Sequence, residues 1–365
     1  MKRLKKTWIW LLLTFLLLGC GAKEVQTENQ EETSQAVVLE ETALEEEAIK
    51  EGEEASEIKT WEVEYPVTIV DQLGREVTIE KEPQTLVSGY YITTSLLIAL
   101  DQEDKLVGIE KGAGERNIYS LSAPQLQELP SMGSAKEFNL EGCAQLNPDL
   151  VILPFKLKDV ADSLEQLGIT VLFVKPENQE LLQETMEILG VATNSRERSS
   201  ALQKMIEEKS REMISVTEKC EKPSVYISGN SDFLSTAGSS MYQNSLIENA
   251  GGKNVASEIS DASWAEVSYE QLLAWNPEYI ILAADAKFSV ESVLEDGNLA
   301  ECDAVKNGNV YQMPNEIESW DSPVPGSVLG SLWLASILHQ EEYSQSMYEE
   351  SVEEFYTTFY EFSPF

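Results

Sequence analysis

From Tyr65 onward, short apolar runs alternate with longer stretches whose apolar positions recur at helical spacing. Residues 67–70 and 76–79 flank Asp71-Gln72-Leu73-Gly74-Arg75, which predicts a hairpin whose turn uses Gly74 for positive φ. Strands are then predicted at 85–88, 106–109, 149–153 and 170–174, with helices at 93–100, 140–146 and 159–167. Short apolar strands separated by helices point to a parallel sheet covered on both faces. A second series follows the same plan: strands at 224–228, 279–283 and 309–313, helices at 244–250, 269–275 and 328–338. Between the two lies 195–219, free of Pro and Gly, with Leu202, Met205, Ile206, Met213 and Val216 on one helical face. One helix of that length is a stiff connector, and Cys220-Glu221-Lys222-Pro223 ends it.

The two series share an internal repeat. Asn139-Leu140-Glu141 leads to Asn147-Pro148-Asp149, and Ser268-Tyr269-Glu270 leads to Asn276-Pro277-Glu278, with the same spacing from Glu to Asn-Pro. Asn139 and Ser268 are expected helix N-caps, each Glu lies in a first turn, and each Asn-Pro ends the helix before a buried strand. Taken alone, the two glutamates serve equally well as complements to helix dipoles.

Composition narrows the function. The chain has 365 residues and ordinary globular make-up, with 26 Lys+Arg against 64 Asp+Glu, a net charge of −38 that excludes an electrostatic footprint on nucleic acid. Lys2, Arg3, Lys5 and Lys6 precede an apolar run from Thr7 to Leu18, too short to cross a bilayer core of roughly 30 Å as a helix. It reads as a secretory segment ending in Leu17-Leu18-Gly19-Cys20, which resembles the bacterial lipobox; Cys20 is then the lipidated new N-terminus. Residues 20–60 are rich in Glu, Gln, Ser and Thr and nearly devoid of aromatics, which suits an extended tether. The domain reading is a signal peptide at 1–19, an acidic tether at 20–60, an N-terminal α/β lobe at 61–193, a connecting helix at 194–220 and a C-terminal α/β lobe at 221–365. Cys143, Cys220 and Cys302 show no CxxC spacing and are expected to be small buried hydrophobes.

Taken together, several segments resemble one family across residues 65–361: the lipoprotein or periplasmic substrate-binding components of ABC importers for ferric siderophores, haem and cobalamin. The marks are Thr68 to Ile79, Asn139-Leu140-Glu141 with Asn147 to Ile152, Leu246 to Val255, Trp264 to Glu270, Ala304 to Tyr311 and the closing Phe355 to Tyr360. The resemblance implies an α/β fold of two Rossmann-like lobes with parallel-type sheets, joined by a single long interdomain helix. It also implies that Glu141 and Glu270, one per lobe, meet arginines of a dimeric permease coupled to its ATPase. Two repeat-related carboxylates suit a two-fold basic partner on charge grounds as well. The expected protein is a monomeric, lipid-anchored receptor on the extracytoplasmic face of the cell membrane, without a cofactor and without catalytic residues.

Ligands of open α/β lobes bind outside the carboxyl ends of the strands. The loops there are aromatic: Tyr90 and Tyr91 after the first sheet strand, Lys111 and Arg116 after the second, Phe155 after the third, and Tyr242, Trp264 and Trp320 in the other lobe. These residues, Tyr90, Tyr91, Lys111, Phe155, Tyr242, Trp264 and Trp320, are the expected ligand contacts, suited to a metal chelate or tetrapyrrole. One histidine in the chain, His339, rules out a cleft metal built from several imidazoles, so any metal arrives inside its chelate. Arg116 is the one arginine near the cleft, and Glu316, Glu318 and Asp321 favour a neutral or cationic complex over a highly anionic one. A hydrolase using the acidic cleft residues is the alternative, though no Walker loop, GxSxG or HExxH is present.

Overall fold

The computed structural model describes residues 61–134, 136–260 and 263–365. The lipobox with Cys20, the signal segment and the tether lie outside these residues. Strands β1 (Val67–Val70) and β2 (Glu76–Ile79) pair antiparallel as the hairpin predicted. The buried Asp71 carboxylate fixes the turn, accepting from the backbone of Leu73 and Arg75 at 3.0 Å each and from Phe173 N at 3.2 Å. This one side chain thus makes the turn and docks it on the neighbouring sheet.

The N-terminal sheet contains β3 (Leu86–Ser88), β4 (Leu106–Gly108), β7 (Leu150–Pro154) and β8 (Thr170–Val174), all parallel, in the order β4-β3-β7-β8. Between β4 and β7 the short hairpin of β5 (Gly133–Ser134) and β6 (Glu137–Phe138) leads into helix Leu140–Leu146. The C-terminal sheet is parallel too: β9 (Ser224–Ile227), β11 (Lys253–Asn254), β13 (Tyr279–Leu282) and β14 (Val310–Gln312), in the order β11-β9-β13-β14. Here β10 (Ser235–Thr236) and β12 (Ala265–Glu266) form the antiparallel pair that leads into helix Tyr269–Trp275. Ranked by chain position, both sheets run second, first, third, fourth. The internal repeat in the sequence is a repeat of topology.

Side chains alternate across each pleat. Leu86, Ile152, Leu172 and Val174 face a central core, while Val87, Val151, Leu153 and Phe173 face the outer helices of the first lobe. Val225, Ile227 and Ile281 join that same central core, and Tyr226, Ile280 and Leu282 face outward. The strands are therefore buried on both sides, which is why they read as continuous apolar runs.

The long connector is helix Arg196–Thr217, 22 residues and about 33 Å of rise. It buries Ser199, Leu202, Ile206, Met213 and Thr217 against helices Gln179–Ala192, Ser327–Leu338 and Gln345–Phe359. Arg198 at its start donates Nε to the Ala99 carbonyl at 2.9 Å and lies 5.1 Å from the Phe359 ring, holding both lobes. Lys209 bridges to Glu354 at 2.5 Å. The connector is braced along its length by the last helix of the chain. Helices Asn117–Ser122, Gln179–Ala192 and Val290–Leu294 were not anticipated from sequence, the first and last because five or six residues carry too little periodicity.

The repeat's local chemistry is explicit. Asn139 caps its helix by accepting from Gly142 N at 2.9 Å, and Ser268 accepts from Gln271 N at 3.2 Å. Each helix stops at an Asn in left-handed conformation, Asn147 at φ 46° and Asn276 at φ 45°, a geometry asparagine tolerates better than most residues. The next acid then clamps the first strand of its sheet: Asp149 accepts from Thr85 N and Thr85 Oγ1 at 3.1 Å, Glu278 from Ser224 N at 2.8 Å. Cys143, Cys220 and Cys302 are free thiols; Cys143 and Cys302 are buried, whereas Cys220 is half-exposed in the turn just past the connector.

Candidate functional site

In a sheet of this order the connection after the first strand runs to one side and the connection after the third strand to the other, opening a crevice beyond the strand carboxyl ends. The cavity found there, of about 450 Å³, is lined from both lobes. Tyr91, Ser95, Lys111, Arg116 and Tyr119 come from the loops and helices after β3 and β4. Asn230 follows β9, Asp285 follows β13, and Ile317, Glu318 and Ser322 follow β14. Polar groups dominate the lining.

Arg116 is held on two sides. Its guanidinium lies 4.2 Å from the Tyr91 ring centre, and its Nε is 3.4 Å from Glu110 Oε1. Glu110, 5 % exposed, also accepts the Tyr119 hydroxyl at 2.7 Å and the Thr94 hydroxyl at 2.6 Å. A buried carboxylate next to a cation over an aromatic face leaves little free positive charge for the cavity. Burial, and then the charge and hydrogen bond of Glu110, hold the Tyr119 phenol protonated well above its usual range.

The opposite wall is acidic, with Glu318 and Asp321 buried. Glu318 accepts a hydrogen bond from Ser95 across the lobes, and its Oε2 has no hydrogen-bond partner. Burial pushes its carboxyl up to about 7, against the opposing pull of Ser95 and Arg116. Asp321 accepts from Ala284 N at 2.9 Å, yet burial, with the Asp285 charge adding, raises it to about 6. Ser319 donates to Asp285 at 2.8 Å. Two further contacts cross the lobes: Asn117 Nδ2 to the Glu316 carbonyl at 2.8 Å, and Tyr360 to Ser95, hydroxyl to hydroxyl, at 3.1 Å.

Of the expected ligand contacts, Tyr91 and Lys111 line the cavity. Tyr90 stands behind, its ring edge-on to Tyr91 at 5.2 Å. Phe155 lies elsewhere, packed beside the ammonium groups of Lys156 and Lys175. Tyr242 is buried and donates to the Ser327 carbonyl at 3.1 Å. Trp264 is half-buried against Gly229. Trp320, 3 % exposed, belongs to the core: Nε1 donates to the Tyr356 hydroxyl at 2.9 Å and the ring meets Tyr348 edge-on. A polar loop hid this because its apolar partners come from the last helix, far along the chain.

Asn230, Tyr119 and Ser95 were missed. Asn230 had a signal, since Ser228-Gly229-Asn230 after β9 copies Ser88-Gly89-Tyr90 after β3. Ser95 had none, because it sits among buried residues of an apolar helix. Glu141 and Glu270 are both exposed, in the first turns of their repeat-related helices.

Residues 86–317 match the family described as periplasmic binding protein. The chain is 24% identical to the molybdate-binding protein MolA of Haemophilus influenzae, over 80% of this chain and 90% of that one. It is 26% identical to YvrC of Bacillus subtilis, described as an uncharacterized ABC transporter substrate-binding lipoprotein, over 71% of this chain and 82% of that one. Among solved structures, a periplasmic solute-binding protein from Veillonella parvula superimposes with a TM-score of 0.70 at 26% identity, covering 82% of this chain and 94% of that one. With two parallel-sheet lobes, one connecting helix and an interlobe cavity at the strand carboxyl ends, the chain belongs to the periplasmic binding protein family.

Proposed function

We propose that this chain is the extracytoplasmic receptor of an ABC importer, anchored by lipid on Cys20, which captures a metal complex between its lobes. The cargo is an iron chelate of the siderophore type, or a haem or corrinoid, delivered to a permease dimer that docks on Glu141 and Glu270. The observation that carries this reading is the cavity at the carboxyl ends of both sheets, with Arg116 already balanced by Glu110. Such a lining suits a neutral or cationic complex. Its size and polar walls favour a compact chelate over a broad tetrapyrrole, which needs flat apolar surfaces. A titration series with ferric siderophores, haem, cobalamin and molybdate, read by tryptophan fluorescence and calorimetry, tests this. Saturable binding of a ferric chelate is expected; binding of none of the metal complexes sinks it.

Molybdate is included because MolA is named as binding it and because Lys111 and Arg116 are the cations at the cavity. Tight oxyanion binding with no chelate binding favours this second reading. The hydrolase alternative would use Glu316 and Glu318 as its carboxylates; Ser95 donates to Glu318, and Glu316 accepts from Asn315 N at 3.1 Å, and turnover of a substrate by the purified chain would favour it. For the anchor, Cys20→Ala is expected to move the protein from the membrane fraction to the soluble one. No helix among the described residues is long and apolar enough to cross a membrane.

A further inference from the structure

Far from the interlobe cavity, the fold gathers the one histidine with a thiol and a carboxylate. Cys220 lies in the turn after the connecting helix, His339 caps the carboxyl end of helix Ser327–Leu338, and Glu342 follows in the next turn. One sulfur, one ring nitrogen and one carboxylate oxygen from these residues all lie within 4.8 Å of one another. Cys220 and His339 are 119 positions apart, so tertiary packing alone makes the cluster.

We propose that Cys220, His339 and Glu342 form a binding site for a divalent transition ion of borderline softness, of the Zn²⁺ class, distinct from the cargo cavity. Thiolate, imidazole and carboxylate are the donors such an ion prefers, and three protein ligands leave a fourth tetrahedral position for water. Thiolate and carboxylate together balance the charge of the ion. Ligand atoms around a four-coordinate metal at 2.0–2.3 Å stand roughly 3.5 Å apart, so the cluster closes by about 1 Å. The exposed Glu342 and half-exposed Cys220 can make that shift, whereas His339 is buried and already oriented, its Nε2 3.3 Å from the Gly251 carbonyl. A backbone carbonyl on a ligating histidine is the usual outer support of such sites. The three groups sit on the end of the connector and on two successive segments of the C-terminal lobe. Bound metal therefore staples the connector's end to that lobe and shields a thiol that otherwise faces solvent.

Co²⁺ is the probe, titrated into the full chain in detergent and followed by absorption. The expected result is one ion per chain, with a thiolate-to-cobalt charge-transfer band and the intense visible bands of a tetrahedral ion, both bleached by Zn²⁺. Cys220→Ser removes the charge-transfer band. The exposed change Glu342→Gln weakens binding at least tenfold, with circular dichroism of both metal-free variants unchanged. Saturating Zn²⁺ also slows maleimide labelling of Cys220 at least tenfold. A wild-type chain without the charge-transfer band, a band that persists in Cys220→Ser, or unaltered affinity in Glu342→Gln each overturns the assignment. The readout depends on a thiolate, and the cargo cavity has none among its lining residues, so metal bound there does not imitate it.

Discussion

Ser95 in the N-terminal lobe donates its hydroxyl to Glu318 in the C-terminal lobe, a buried hydrogen bond between residues 223 apart in the chain. Tyr360, from the end of the chain, stands 3.1 Å from the same Ser95 oxygen. The lobes are thus tied at the cavity wall as well as by the connector. A bound complex meets walls already in place, and small lobe motion is expected on binding.

The buried carboxyls make stability depend on pH. Glu318 at about 7 and Asp321 at about 6 both lie above their ordinary values. Between about pH 4 and 7 the folded chain therefore holds more protons than the unfolded chain, and stability falls as pH rises through that window. The free energy of unfolding from urea titration is expected to be higher at pH 5 than at pH 8, by roughly a few kcal/mol at most. In Glu318→Gln this slope is reduced. An identical slope in the variant assigns the effect elsewhere.

Arg116 orders the cavity through Tyr91 and Glu110. Arg116→Ala leaves Glu110 as a buried charge without its cation, so cargo affinity is expected to fall at least tenfold, with about 1–3 kcal/mol of stability. Arg116→Lys keeps the charge but loses the planar stack and recovers only part of the affinity. Calorimetry on both variants checks the order; full recovery in the lysine variant rejects the stacking role.

Uptake and binding separate at Glu141 and Glu270. Both are exposed and neither is among the cavity's lining residues, so the double alanine variant is expected to bind cargo normally and fail in transport. Reconstituted uptake together with a binding isotherm decides it, and lost affinity contradicts the docking role.

The acid clamps are tested by Asp149→Asn and Glu278→Gln. Although burial opposes its charge, the hydrogen bonds from Lys81, Gln84 and Thr85 hold Asp149 down at about 2. Its contribution is present above the ordinary carboxyl range and fades as pH falls toward 2. Asp149→Asn is expected to cost about 1–3 kcal/mol in urea unfolding at pH 7. Glu278, at an exposed position, is expected to cost less.

Hairpin, sheet strands, connector and repeat were legible because each is written in local pattern. Alternating burial gives the strands, apolar spacing gives the connector, and Asn139, Asn147, Ser268 and Asn276 act within one helical turn of themselves. The loops at the strand ends were legible for the same reason, which is how Tyr91, Lys111 and Glu318 were placed near the cavity. Trp320 went the other way, because its reason for burial, Tyr348 and Tyr356, lies on a helix that no local pattern links to it.

What the sequence determined alone was two α/β units of one design, a stiff helix between them and an acidic character unsuited to nucleic acid. Only the tertiary structure decided which side chains share a space: Ser95 with Glu318, Arg116 with Glu110 and Tyr91, Cys220 with His339 and Glu342. Secondary structure follows from the periodicity of neighbours. A site follows from the packing of distant segments, where burial and the balance of charge are set by partners that local spacing does not name.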